Sequence, residues 1–233
     1  MTFHVKFSEQ GGSFRARFGA VQTASDGGYE RGYAAGYENG QESVQAEYNA
    51  ILDRTISGEY INSSITTLGG NAFYGCNKLT KITMPNLTTT GAAAFQVCTA
   101  LKELVLPSLI QATNDLSSYN TALTNVSIPL CTYLGANAFR RCAALERIEL
   151  PSVATMREYV FYDCSKLSVV IVRTPSVCAM SQSSVFTNTP IAKGTGYIYV
   201  PAALVEQYKT ATNWSTYAAQ IRAIEDYPEI TGG

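Results

Sequence analysis

Leucine recurs at Leu79, Leu101, Leu123, Leu145 and Leu167, a constant step of 22 residues. Three positions after each stands Ile82, Leu104, Val126, Ile148 or Val170, and two further on Met84, Leu106, Ile128, Leu150 or Val172. Proline closes four of the five units, at Pro85, Pro107, Pro129 and Pro151, with Arg173 in the last. Upstream come Phe73, Phe95, Phe139 and Phe161, then Cys76, Cys98, Cys142 and Cys164. So many columns in one register define an internal repeat reading A-F-x-x-C-x-x-L-x-x-I-x-L-P. Its end alternates, which predicts a short strand with two side chains on one face. The proline lacks an N–H and ends the pairing. The A-F-x-x-C-x-x-L stretch spaces apolar residues by three, which predicts one turn of 3₁₀ or α-helix facing the same core. One unit cannot bury these faces, but stacked units can, as a solenoid with a parallel strand ladder. Burying a side chain such as Phe95 or Leu101 is worth about 1.5–3 kcal/mol.

The repeat also accounts for the cysteines. Four share one column; Cys131 falls in the column of Leu87, Leu109 and Val153, and Cys178 in that of Leu68, Leu134 and Met156. Free cysteine is a small buried hydrophobe, and a spacing of one coil is not the clustered C-x₂-C of a zinc site. Core packing is expected, with no metal. The third unit departs: Asp115-Leu116-Ser117-Ser118-Tyr119-Asn120 stands where Ala-Phe and Cys belong. Either Leu116 or Tyr119 replaces the phenylalanine, or this turn bulges outward.

These residues resemble the bacterial leucine-rich repeats called BspA-like, over roughly residues 66–180. The resemblance implies an α/β solenoid, a leucine-rich repeat presenting an extended binding surface, while the ligand does not follow from the fold. Members of that class are surface adhesins, and similar repeats occur in phage and prophage proteins.

Four regions are expected: residues 1–24, 25–56, 57–180 for the solenoid and 181–233 for a mixed C-terminal cap. Phe3, Val5 and Phe7, then Phe14, Ala16 and Phe18, alternate around Gly11-Gly12 as a β-hairpin. A helix follows in which Tyr29, Tyr33 and Tyr37 run beside Gly32, Gly36 and Gly40, each spaced by four. Glycine costs about 1 kcal/mol in a helix interior, so close packing must compensate. Tyr37, Gln41, Val44, Tyr48 and Ile51 continue as a short coiled-coil seam. This helix either packs on its own chain or self-associates into an oligomeric stalk, a trimer among the options. In the cap, Tyr197 to Val200 reads as a final strand. Leu204, Val205, Tyr208, Trp214, Tyr217 and Ile221 suit one or two short helices. Trp214 is expected in the cap core, with a sugar platform as the other reading.

Composition then bounds the function. Of 233 residues 46% are hydrophobic and only 15% charged, against roughly 25% usually. The net charge of −1 argues against nucleic acid or an anionic membrane as partner. The single histidine, His4, leaves no histidine base with a partner, and no catalytic or phosphate-binding motif appears. The chain is expected to be no enzyme and to need no cofactor. Binding is expected on the outward strand face, with Lys81, Thr83, Glu103, Asn125, Ser127, Arg147 and Glu149 as candidates. The outward columns also include Val105, Val169 and Ile171.

The N-terminus shows no secretory signal pattern, and the hairpin followed by G-Y-x-x-G-Y resembles the opening of phage structural proteins. The leading expectation is therefore a virion protein, a tail or surface appendage. Its hairpin would attach to other virion proteins, its helix would self-associate, and its solenoid would meet a host surface protein or glycan. The alternatives are a bacterial cell-surface adhesin, or a purely structural virion part.

Overall fold

The computed structural model describes residues 51–231, and within them each 22-residue unit closes one coil of a solenoid. The L-x-x-I-x-L segments form parallel strands: β1 (Ser57–Ile61), β3 (Lys78–Thr83), β5 (Glu103–Val105) and β7 (Asn125–Ser127) make one four-stranded sheet. The second four-stranded sheet has β9 (Arg147–Leu150), β11 (Val169–Val172), β13 (Tyr197–Val200) and β14 (Ile221–Ala223). Register keeps the repeat, with Ile82 beside Leu104 and Leu104 beside Val126. After each proline or its counterpart a second, two-residue strand forms: β2 (Thr67–Leu68), β4 (Thr89–Thr90), β6 (Gln111–Ala112), β8 (Tyr133–Leu134), β10 (Thr155–Met156) and β12 (Ala179–Met180). These six pair in unbroken order.

The third side of each coil is not the expected helical turn. Two residues per coil sit at positive φ: Asn71, Ala93, Asp115, Asn137 and Tyr159 in one column, and Gly75, Val97, Tyr119, Arg141 and Asp163 in another. Left-handed residues at these two points stop a helix from propagating, leaving consecutive tight turns. Alternate N–H groups of the turns bond across coils, as Phe73 N to Ala94 O at 2.7 Å and Phe95 N to Leu116 O at 2.8 Å.

The core is a stack of apolar columns. Phe73 and Phe95 stack at 5.6 Å; Phe139, Phe161 and Phe186 continue the stack at 5.8 and 5.7 Å. Between these two stacks lies the third coil. It does not bulge, since Ser117 N donates to Ala138 O at 2.8 Å in the phenylalanine column. Leu116 fills the core one position earlier and is fully buried. Tyr119 occupies a left-handed turn position, half-buried.

All six cysteines are free and buried. The expected column for Cys178 does not form. Met156 pairs with Met180, because the connection from β11 to β12 is two residues longer than its counterparts. Cys178 instead meets the cap, its N–H donating to the Tyr208 hydroxyl at 2.9 Å and its carbonyl accepting from Trp214 Nε1 at 2.6 Å.

The cap packs a 3₁₀ turn (Ala202–Leu204), α1 (Val205–Thr210) and a 3₁₀ segment (Trp214–Gln220) over the last coil. Trp214 is 1% exposed against Phe186 and Tyr208, in the expected core position. β14 then adds a parallel strand to β13 that the sequence pattern does not announce. The chain ends with α2 (Pro228–Thr231).

The expected hairpin, and Tyr29, Gly32, Tyr33, Gly36, Tyr37, Gly40, Val44 and Tyr48, lie outside the described residues. The coiled-coil expectation is corrected. Ile51, the last seam position, is buried in the solenoid's own core, and Cys76 Sγ donates to its carbonyl at 3.9 Å. The helices among the described residues are at most seven residues long.

Candidate functional site

The seven strand-face candidates fall into three groups. On the first sheet Lys81 and Glu103 pair across neighbouring strands at 3.3 Å, both partly exposed. Thr83 follows two residues after Lys81, its hydroxyl oxygen buried without a partner. Asn125 and Ser127 belong to β7, while Arg147 and Glu149 belong to β9 and form an ion pair at 3.6 Å. Arg173 also bonds Glu149. Exposed pairs of this kind contribute about 0–1 kcal/mol, so they shape the face more than they hold it.

Between these last two groups the strand ladder is broken. Lys102 N donates to Thr80 O at 2.8 Å, Thr124 N to Lys102 O at 2.9 Å and Ser168 N to Glu146 O at 3.0 Å. The equivalent bond from Glu146 to Thr124 is not made among the described residues, and β7 and β9 belong to different sheets. On the other two sides the same coils remain joined, by Gly135 N to Ala112 O and by Tyr119 N to Arg140 O, each 2.7 Å. The coils therefore open only on the strand face. The opening is a cleft of about 440 Å³, walled by Thr124 to Pro129 on one side and by Arg147, Ile148, Glu149 and Pro151 on the other. Val126 is 9% exposed there, whereas Ile82, Leu104, Ile148 and Val170 in its column are 0–2% exposed. Four of the seven candidates thus converge on one cleft.

Part of the second sheet is covered, although Tyr197 on β13 stays exposed. Ile171 and Tyr199, both in outward columns, are 0% and 2% exposed. Tyr227 packs edge-on against Tyr199 at 5.4 Å, and Arg147 donates to the Ile230 carbonyl. The C-terminal segment lies across this half of the face, so Ile171 is not the exposed position that its column predicts. Burial, with Tyr227 beside it, pushes the Tyr199 phenol up.

The chemistry available is recognition. Among the described residues no three His, Cys, Asp or Glu side chains gather to hold a metal ion. Each column cysteine past the first gives its S–H to a carbonyl one coil back, as Cys98 to Phe73 at 3.0 Å and Cys164 to Phe139 at 3.1 Å. Burial pushes the Cys98 and Cys164 thiols up to about 12 and raises that of Cys142 as well, far from the thiolate that a nucleophile needs.

The cleft has no signal in the hydrophobic pattern, since β7 keeps its consensus residues. The one hint is the loss of phenylalanine at Ser117, in the coil where the ladder ends.

Solved structures of similar form include several bacterial proteins. A leucine-rich repeat protein from Bacteroides ovatus superposes with a TM-score of 0.57 at 24% identity, over 72% of this chain and 42% of its own. One from T. pallidum gives 0.47 at 25% identity, over 50% and 58%. One from Eubacterium ventriosum gives 0.48 at 31% identity, over 55% and 35%. The chain spans less than two thirds of the length of each. Among curated proteins no significant match is found. The expectation of a phage virion protein or tail fibre is corrected here: the Bacteroides ovatus structure and the matching family model are of leucine-rich repeat proteins, and neither is of a phage structural protein. The model of the BspA type leucine-rich repeat region matches in six copies across residues 54–143 and 119–197, more than half of the chain. With the Phe and Cys columns and the strand ladder in the same register, the chain belongs to that family.

Proposed function

We propose that the chain is a binding module of a bacterial cell-surface adhesin, and that it holds an extended segment of a partner protein at the cleft between β7 and β9. The observation that carries this reading is the broken ladder. Strand edges that every neighbouring coil satisfies internally are left unpaired, beside Val126, which is 9% exposed where its column is otherwise sealed. A peptide laid along such an edge gains main-chain hydrogen bonds, while the neighbouring side chains set specificity. Arg147, Glu149 and Asn125 supply charges and amide groups at the rim. Family membership supports the surface setting, since adhesins are among BspA-like proteins.

The test is a peptide array probed with the full chain and with Ser127→Arg, which places a long cation in the cleft mouth. Peptides bound by the wild type and weakened at least about tenfold by the substitution support the reading. An array without bound peptides, or equal binding by the variant, overturns it.

A further inference from the structure

Away from the strand face, the turn side carries an arginine held between aromatic rings, and among the described residues no acid neutralises it. We propose that Arg140, with Tyr159 and Tyr162, forms a site for an acidic saccharide, a sugar unit bearing a carboxylate or sulfate. The Arg140 guanidinium lies 5.1 Å from the centre of the Tyr162 ring and 5.8 Å from that of Tyr119. The nearby carboxylates are already engaged. Asp163 is bonded by Arg141 at 3.2 Å and by Asn188 at 2.7 Å. Glu158 is bonded by Arg157 at 3.2 Å and Ser181 at 3.3 Å, and Asp115 by Ser118 at 3.1 Å and Gln96 at 3.3 Å. Among the described residues no carboxylate lies within ion-pair distance of Arg140, and its buried Nε meets no acceptor.

Aromatic rings attract a guanidinium but accept none of its in-plane hydrogen bonds. Those donors form a planar fork that suits a carboxylate or sulfate oxygen pair. Beside the fork Tyr159 is 39% exposed and meets Tyr162 edge-on at 5.5 Å, leaving apolar ring surface for the C–H face of a sugar. The geometry is held in advance of binding. Tyr119 N donates to Arg140 O at 2.7 Å and Arg141 N to Tyr162 O at 2.8 Å, which locks three successive turns together. A bare anion would leave the Tyr159 ring unused, and a neutral sugar would leave Arg140 unpaired.

Calorimetric titration of the full chain tests this with four probes: a hyaluronan tetrasaccharide, a chondroitin sulfate tetrasaccharide, neutral chitotetraose and sodium acetate. The expected result is binding of one or both acidic saccharides, with chitotetraose and acetate weaker by at least about tenfold. The two acidic probes then distinguish carboxylate from sulfate ester. Arg140→Gln and Tyr159→Ala each lose about tenfold in affinity, and the exposed Tyr159→Ala keeps the wild-type melting temperature. Ser127→Arg binds as the wild type does, which separates this site from the cleft. No acidic saccharide bound at about 10 mM, acetate or chitotetraose bound equally well, or unchanged affinity in both turn-side variants overturns the proposal.

Discussion

Asn120 donates through its side-chain amide to the carbonyl of Phe95 at 2.9 Å, the bond that Cys98 makes to Phe73 one coil earlier. It does more than the cysteine it replaces. Its oxygen accepts from Cys98 N at 2.7 Å and its nitrogen also donates to Ser117 Oγ at 2.6 Å, all fully buried. The third coil thus exchanges a ring and a thiol for a closed polar network. Such networks are costly when half-satisfied.

Asn120→Ala strands the Cys98 N–H and the Ser117 hydroxyl at once. A buried group left unpaired costs about 1–3 kcal/mol. The substitution should therefore lower stability by about 3 kcal/mol in a urea titration, more than Cys98→Ala does.

The buried thiols predict an alkaline limb of stability. Burial pushes Cys76 up to about 11 and Cys98, Cys164 and Cys178 up to about 12, against 9.0 for an ordinary thiol. The unfolded chain releases these protons near pH 9 while the folded chain keeps them. Their stabilisation is complete below that value and is lost as pH rises toward 12, by about 1.4 kcal/mol per pH unit for each thiol in that window. Melting temperature should fall above pH 9, and the double variant Cys98→Ala, Cys164→Ala should show a shallower fall.

Close backbone contact between coils gives a third test. A Cβ on Gly135 would stand 2.6 Å from the backbone N of Asn114, and one on Gly91 would stand 2.2 Å from that of Gly70. Neither neighbour is a flexible side chain. Gly135→Ala should cost about 3 kcal/mol or more, whereas Gly70→Ala, whose nearest contact is 3.2 Å, should cost far less in the same thermal assay.

Val97 offers a change in the stabilising direction. It sits at φ +61°, a conformation in which a β-branched side chain is strained by about 1–2 kcal/mol. Asparagine tolerates that region. Val97→Asn should raise the melting temperature, and an unchanged or lowered value would count against strain at this position.

The stacked columns were legible because each keeps one residue type at one spacing: Leu79 through Leu167 names the coil, and Pro85 names where it turns. What escaped depends on contacts between coils. The two left-handed residues per coil include side chains as different as Val97, Tyr119 and Arg141, so the Asn71, Gly75, Asp115, Asn137 and Asp163 that suit this conformation do not make a column of one type. The displacement of Cys178 comes from two extra residues in one loop, invisible to a fixed period. Of the seven strand-face candidates, four line the cleft, but the cleft arises from a missing ladder rather than from any residue. The Arg140 cluster was also out of reach, because Tyr119 and Tyr162 lie 43 positions apart and meet only through stacking.

The break between β7 and β9 also bears on how the molecule comes apart. A solenoid behaves as a one-dimensional array of coupled units, and its unfolding is cooperative only as far as neighbouring units hold one another. Coupling is reduced around the third coil, where the phenylalanine stack is interrupted and after which the strand ladder stops. The coils before and after that point should therefore melt as two blocks, joined through the continuous six-stranded sheet and the turn side. The only tryptophan, Trp214, is packed on Phe186 in the second block. Its fluorescence therefore reports the melting of one half of the solenoid, while circular dichroism follows both.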